Sequence, residues 1–371
     1  MKNKMMMGVI FGNTHDDLLK ELTEQRAISS LPFGGRYRLI DFSLSNLVGA
    51  DVERVAVLTN SNYKSLMDHV GSGKAWDLAR KHGGLYIMPP YASTGAGANT
   101  DKVSSLHGIL GFLNHSREEY VALCDGDVVC SINMKDMLAQ HVEKGADITI
   151  AYCNGEAPKG ENDVLRFEFD DDGKITEATV AQRYTNCDYS LDIVIMKKEL
   201  LIELVEAAMS RNRKSYERDI LLEACVTHNV YGYKVEGYAA IIDGMHNYVK
   251  ASMDLLDKKV RSDLFGQRNP VYTKIRNEMP AKYGLESKVT NSLVADGCII
   301  EGTVENSILF RGVKVGKGSV VKNCILMQST DVGEGVSIEH VCTDKNVKIC
   351  DRRTLVGTPA YTVFIRKDSE V

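Results

Sequence analysis

Residues 291–321 read NSLVADGCIIEGTVENSILFRGVKVGKGSVV, and this stretch decides the architecture of the C-terminal part of the chain. From 292 to 341 aliphatic residues recur near every sixth position: Val294 and Ile300, then Val315, Val321 and Met327, then Val332 and Ile338. Glycines such as Gly297, Gly302, Gly312, Gly318 and Gly335 fall between them. A six-residue repeat of this kind suits a parallel β-helix, in which each flat face of each coil turns one aliphatic side chain inward. Period-two alternation is weak, which argues against an antiparallel sheet with glycine turns. The period slips between Ile300 and Val315. Solenoid coils cannot bury their faces alone, so the repeat is expected to stack on the preceding domain or on another subunit.

Upstream the texture is different. Short apolar runs at 6–11, 54–59, 120–123, 146–152 and 189–196 alternate with amphipathic stretches at 44–48, 61–70, 104–113, 134–143 and 198–208. Strands alternating with helices predict a layered, doubly wound α/β domain, nucleotidyltransferase-like or Rossmann-like, on a mixed, mostly parallel sheet. Asn269-Pro270 and Met279-Pro280 discourage helix between the two textures. The expected division is an α/β domain over 1–263, a linker over 264–284 and a left-handed β-helix over 285–371.

Composition removes several classes of function. With 44% hydrophobic and 26% charged residues the chain is able to pack a core. A net charge of −5 supplies no basic excess, so nucleic acid is not an expected partner. The apolar run at 5–11 is far short of the roughly 20 residues a membrane span needs, and it reads as a first buried strand. The nine cysteines form no C-x-x-C pair, which predicts unpaired thiols in a reducing cytoplasm.

In a sheet of this class ligands sit beyond the carboxyl ends of the strands, which directs attention to the turns after Phe11 and Leu123. The first turn, Gly12-Asn13-Thr14-His15-Asp16-Asp17, holds one glycine and two acids ahead of Lys20. It is a poor cradle for a triphosphate and reads as a turn in which Asn13 or Asp16 caps the next helix. Next, Gly34 and Gly35 lead into Arg36 and Arg38, alternate positions that in an extended segment point the same way and suit one phosphate; surface arginines paired with Asp41 are the plainer reading. Asp125-Gly126-Asp127 ends a strand in two carboxylates, which fits either a divalent-metal corner or an ordinary turn.

The block 21–46, ELTEQRAISSLPFGGRYRLIDFSLSN, resembles the ADP-glucose pyrophosphorylase (glucose-1-phosphate adenylyltransferase) family, as do 71–80, GSGKAWDLAR, 83–91, GGLYIMPPY, and the repeat quoted above. The resemblance is collinear over nearly the whole chain. It implies a family that joins ATP and glucose 1-phosphate into ADP-glucose and pyrophosphate with Mg²⁺, for glycogen or starch synthesis. The departures fall on the chemistry. The family's glycine-rich, arginine-bearing first turn is absent. Its S-G-D-H stands here as Asp125-Gly126-Asp127-Val128, which keeps the aspartate and loses the histidine. Its second metal aspartate aligns with Ile241, two residues from Asp243; its sugar-phosphate lysine is represented at best by Arg183; and its G-T-A loop is Asp101-Lys102-Val103.

These departures around one site imply a D-type regulatory subunit, catalytically impaired, that accompanies a catalytic subunit in a hetero-oligomer, by analogy a tetramer. Arg36, Arg38 and Arg183 then stand as contacts for a substrate or effector phosphate such as a sugar phosphate, and Asp127 and Asp243 as the ligands for Mg²⁺ if nucleotide binding persists; no other cofactor is expected. The competing readings are a stand-alone sugar-1-phosphate nucleotidyltransferase and a β-helix acyltransferase, the latter requiring a catalytic histidine for which only His340 is available.

Overall fold

The computed structural model describes residues 5–89, 101–157, 164–180, 186–266 and 269–371. The first apolar run forms the strand Met6–Phe11, fully buried along its length. It pairs in parallel with Arg54–Leu58 on one side and Tyr120–Asp125 on the other, and Gly84–Met88 extends the parallel set beyond Arg54–Leu58. Alternate side chains go to opposite faces: Met6 and Ile10 join one hydrophobic cluster, Met7, Val9 and Phe11 another, so helices cover both sides of the sheet. At Gly8 a Cβ would lie 2.6 Å from Leu47 Cδ1, which explains the glycine that interrupts the run.

The sheet is mixed, as expected. The long strand Asn186–Lys197 runs antiparallel to Tyr120–Asp125 and also pairs with Ile148–Glu156 and Leu165–Phe169. Its register slips between Ser190 and Val194, and there Asp192 takes a left-handed backbone with φ 52°. Such a bulge re-aims a side chain, and Ile193 pairs with Cys124, so Asp192 comes beside Asp125. The helix expected over 104–113 is two helices, Lys102–Gly108 and Leu110–His115, broken at Ile109 after a glycine.

After Leu264 the described residues carry no regular element until Lys282. Beyond it come three parallel sheets of five short strands each, stacked as the faces of a solenoid. Ile300, Val315, Val321, Val332 and Ile338 point into its interior as the repeat predicted. The slip has a simple cause: Ile300 pairs with Val315 after a coil of 15 residues, whereas Val315 pairs with Val332 after 17. Corners are turned by left-handed residues in register, among them Asn291, Asn306, Asn323 and His340. Asparagine tolerates that backbone better than most residues, and His340 fills a corner in the ladder, its Nε2 3.4 Å from Asn323 Nδ2.

The solenoid is not free-standing. Ile308, Phe310, Ile325, Met327 and Cys342 share a core with Leu22, Ile28, Leu31, Phe33 and Tyr248 of the α/β part. Arg26 Nη2 reaches Asp344 Oδ2 at 2.8 Å, both side chains nearly fully buried. No helix among the described residues is long and apolar enough to cross a membrane. All nine cysteines are unpaired, and all but Cys225 and Cys350 are buried.

Candidate functional site

The crevice at the carboxyl ends of the strands is built from segments far apart in the chain. Phe11 and Asp125 are paired neighbours, so the turn after each opens on the same corner. Gly126 N–H donates to Phe11 O at 2.9 Å, and a Cβ there would lie 2.7 Å from Ser29 Cβ and 2.8 Å from Phe11 O. Only glycine fits between the two turns. The strand Ala239–Ile241 pairs antiparallel with Val128–Cys130, and Ile242 N–H donates to Asp127 O at 3.1 Å, which brings Asp243 into the corner. Ile241, at the position of the family's second metal aspartate, points into the core.

Two cations already occupy this corner. His15 Nδ1 lies 2.5 Å from Asp127 Oδ2, with the aspartate side chain fully buried. Burial alone would push the imidazole pKa down, but the charge and hydrogen bond of Asp127, with help from Asp125, carry it up to about 9. His15 is therefore an imidazolium at neutral pH. Lys102 Nζ donates to Asp125 Oδ2 at 2.8 Å and to Glu217 Oε1 at 2.6 Å, and it sits over the rings of Phe11 and Tyr216 at 5.4 and 5.9 Å. Burial works against its charge too, yet Asp125, Glu217 and Asp192 together hold it well above the ordinary lysine value. Burial raises the carboxyls of Asp125 and Asp192, with Lys102 opposing in both. Neither cation was singled out as a site residue in the sequence, where both stood only as departures from a family pattern.

The helix-cap reading of the first turn does not hold. Asp16 accepts the Ile28 N–H at 2.7 Å and a hydrogen bond from Asn13, while Asn13 Oδ1 accepts the Asn60 N–H at 2.9 Å. These bonds tie the turn to Ile28 and Asn60 instead of capping the helix that follows it, Asp16–Leu19.

The Mg²⁺ implied by the resemblance does not fit the residues present. Asp127 is the expected ligand, but one of its oxygens is taken by a cation that would repel a second one. Asp243 Oδ1 is held by Asn247. Among the described residues no three His, Cys, Asp or Glu side chains come together as a metal cage.

A second constellation lies where the α/β part meets the solenoid. Pro32–Phe33 and Tyr37–Arg38 form a hairpin closed by Gly34, Gly35 and Arg36, with φ 58° and 83° at the glycines. Arg36 thus sits in the turn, exposed, and not in a strand. Arg38 is buried, and its Nη1 donates to Ser30 O at 2.9 Å and to Ser65 Oγ at 2.6 Å. The pairing of these arginines with Asp41 is also set aside: Asp41 accepts the Arg38 backbone N–H at 3.0 Å and pairs with His69 at 2.5 Å. Arg36 and Arg38 do converge, on a narrow cleft that they line with Arg276, Arg311, Gln328 and Lys345.

The cleft is strongly cationic. Burial lowers the Arg38 pKa to about 10, with Arg26, Arg276 and Arg311 adding to the effect against Asp41. Lys345 falls to about 7, first through burial and then through Arg38, Arg26 and Arg276, with Asp344 opposing. Among the described residues no carboxylate side chain forms an ion pair with Arg36, Arg276, Arg311 or Lys345. Such a nest is suited to an oxyanion, whose charge would relieve the mutual repulsion. Arg276 comes from the stretch between Leu264 and Lys282 and Arg311 and Lys345 from separate coils, which is why no motif announced them. Arg183 lies outside the described residues.

The fold and this geometry define a class: a nucleotidyltransferase α/β domain carrying a hexapeptide solenoid, with the corner at the carboxyl ends of its strands filled by its own side chains. A nucleotidyl transferase family model matches residues 14–177, and a GlmU-like, C-terminal hexapeptide model matches 278–361. The chain is 37% identical over 370 residues to the glycogen biosynthesis protein GlgD of Bacillus subtilis (strain 168), covering 99% of this chain and 97% of that one. It is likewise 37% identical to the glycogen biosynthesis protein GlgD of Geobacillus stearothermophilus, over 86% of this chain and 83% of that one. With the glucose-1-phosphate adenylyltransferase of Bacillus anthracis it shares 32% identity over 90% of each chain. The chain belongs to the ADP-glucose pyrophosphorylase family, on its GlgD side.

Proposed function

We propose that this chain is a regulatory, catalytically impaired subunit of a glucose-1-phosphate adenylyltransferase, acting in glycogen biosynthesis in the cytoplasm. The observation that carries the reading is the His15–Asp127 contact. The carboxylate that should serve the transferring nucleotide is neutralised by the chain's own imidazolium, in a turn that carries two acids and a single glycine ahead of Lys20. Groups that stabilise phosphoryl charge in such reactions are each worth roughly 10²- to 10³-fold in rate, so the loss of several leaves little turnover.

The partner in this reading is a catalytic adenylyltransferase subunit, in a hetero-oligomer and by analogy a tetramer. The cationic cleft of Arg36, Arg38, Arg276, Arg311 and Lys345 is the effector site, and a sugar phosphate is the class of ligand whose charge it suits. The cleft's position favours this role, because one ligand there would touch the α/β part, the linker and the solenoid together. By linkage, such a ligand changes activity only by binding one state of the assembly more tightly than the other.

The experiment mixes the purified chain with the catalytic subunit from the same source and measures ADP-glucose synthesis against substrate and sugar phosphate concentration. A change in rate, substrate affinity or effector response is expected, and Arg36→Ala should weaken the effector response. A mixture whose kinetics equal those of the catalytic subunit alone would end the proposal.

A further inference from the structure

Large apolar side chains that stay in water gather in one part of the chain. Of the thirteen exposed among the described residues, five fall between 272 and 285: Tyr272, Ile275, Met279, Tyr283 and Leu285. Leu285 is fully exposed, and Met279 and Ile275 are 82% and 79% exposed. Ile299, which pairs with Lys282, is exposed as well. The backbone beneath them is nevertheless anchored. Tyr272 N–H donates to Ser45 Oγ at 2.9 Å, Met279 O accepts the Gly297 N–H at 2.5 Å, and Gly284 N–H donates to Ile300 O at 2.7 Å. A cluster of apolar side chains held out on a fixed backbone marks a surface that another body covers.

The same stretch opens the solenoid. Its first coil supplies the outermost strand of each of the three parallel sheets, Lys282–Tyr283, Lys288–Thr290 and Leu293–Val294, and among the described residues nothing pairs with their outer edges. The interior is open there too: Ala281, Val289 and Val294 are partly buried, whereas Ile300, Val304 and Leu309 of the next coil are fully buried. Solenoids ordinarily end in a capping repeat with a polar outer face, and an uncovered edge strand is a template for pairing. The opposite end is treated differently. There the chain's last residues close one edge, with Lys348 N–H on Ser369 O at 2.9 Å and Cys350 N–H on Val371 O at 2.8 Å. A single added peptide could satisfy one open edge of the first coil. Three edges set as the sides of a triangle are matched by the end of another solenoid of the same repeat.

We propose that a second copy of this chain docks here, first coil against first coil about a two-fold axis, with the apolar side chains of 272–285 covered in the contact. In a two-fold contact each patch meets itself, so the patch must be self-complementary. The first coil meets that requirement. Opposed copies of one strand edge run antiparallel and can exchange N–H and C=O bonds, and the exposed Lys282, Glu286 and Lys288 place both signs of charge on the same coil. The contact concerns copies of this chain alone and is independent of the regulatory reading.

The test is sedimentation velocity on the full-length chain over a range of concentrations. The wild type should be a dimer at about 10 µM, as a standard-sized interface allows. Leu285→Glu and Tyr283→Glu each put a charge into the contact twice, once per copy, and each should weaken association at least about a hundredfold. Val226→Glu, at a side chain that is also exposed but lies on the helix Leu222–Thr227, should leave association unchanged. All three positions face water in the single chain, so the variants should keep the wild-type circular dichroism spectrum, and a lost dimer is then not a lost fold. A wild type that is monomeric at about 50 µM would overturn the proposal, as would a dimer that Leu285→Glu leaves as tight as Val226→Glu does. Neither result bears on whether the chain alters the kinetics of a catalytic subunit.

Discussion

Sulfate binding to the cationic cleft should depend on pH through a single group. Sulfate keeps its double charge across the neutral range, so any dependence belongs to the protein. Arg38 titrates near 10, and burial holds His69 below its ordinary 6.5 and Tyr37 above 10, which leaves Lys345, at about 7, to change charge between pH 6.5 and 8.5. For a lysine lowered to 7 the protonated fraction drops by about 25-fold across those two pH units, equivalent to roughly 2 kcal/mol of binding free energy as a ceiling. That ceiling assumes the bound dianion restores the ammonium fully. Lys345 keeps some contact with solvent, so a weakening of about tenfold from pH 6.5 to 8.5 is the expected value. Isothermal titration calorimetry at constant ionic strength measures it, and repeating the titration in two buffers of different ionisation enthalpy reports the proton taken up. Lys345→Gln should remove both the slope and the proton uptake. An affinity flat with pH in the wild type, or a slope that survives in Lys345→Gln, would refute the assignment, and no sulfate binding at all would remove the cleft as an anion site.

Three further outcomes follow from the same contacts. Arg26→Ala leaves Asp344 buried without its partner between the α/β part and the solenoid, and should cost about 3–5 kcal/mol in urea unfolding, whereas Arg26→Ala with Asp344→Ala should recover part of that loss. Gly126→Ala forces a Cβ against Ser29 and the Phe11 carbonyl and should destabilise by roughly 1–3 kcal/mol, read as a lower thermal midpoint. The two hairpin arginines should separate: Arg36→Ala weakens sulfate binding with stability nearly unchanged because Arg36 is exposed, while Arg38→Ala also loses about 1–3 kcal/mol by leaving Ser30 O and Ser65 without their buried donor.

How much of this was legible in the sequence follows from how local each feature is. The strand Met6–Phe11 and the helix Met134–Glu143 stand where their apolar patterns put them, since burial on one or both faces writes a period into the chain. Val128–Cys130 and Ala239–Ile241, which close the catalytic corner, are too short to carry a period, and they pair across more than a hundred residues. The solenoid was legible from its hexads. Its slip was visible but not its cause, because a coil of 15 residues is recognised only once Ile300 is seen beside Val315. The Gly34-Gly35 turn and its arginines could be read as an anion site, but the other cations of the cleft are gathered by the docking of the solenoid, a tertiary event. The cations of the corner, His15 and Lys102, were hidden for a different reason. The sequence showed which groups were missing from the first turn and from the loop before Lys102, and a missing group says nothing of what stands in its place. Buried carboxylates at Asp125 and Asp127 call for counter-charge, and His15 and Lys102, both standing at those departures, supply it.

The idle crevice is tested most directly by steady-state ADP-glucose synthesis with the purified chain alone, given saturating ATP, glucose 1-phosphate and Mg²⁺, beside the catalytic subunit under the same conditions. Turnover at least about a thousandfold below that of the catalytic subunit is expected. Turnover of the chain by itself at a comparable rate would contradict the account, since it would mean that His15 leaves Asp127 and that the first turn holds a triphosphate after all.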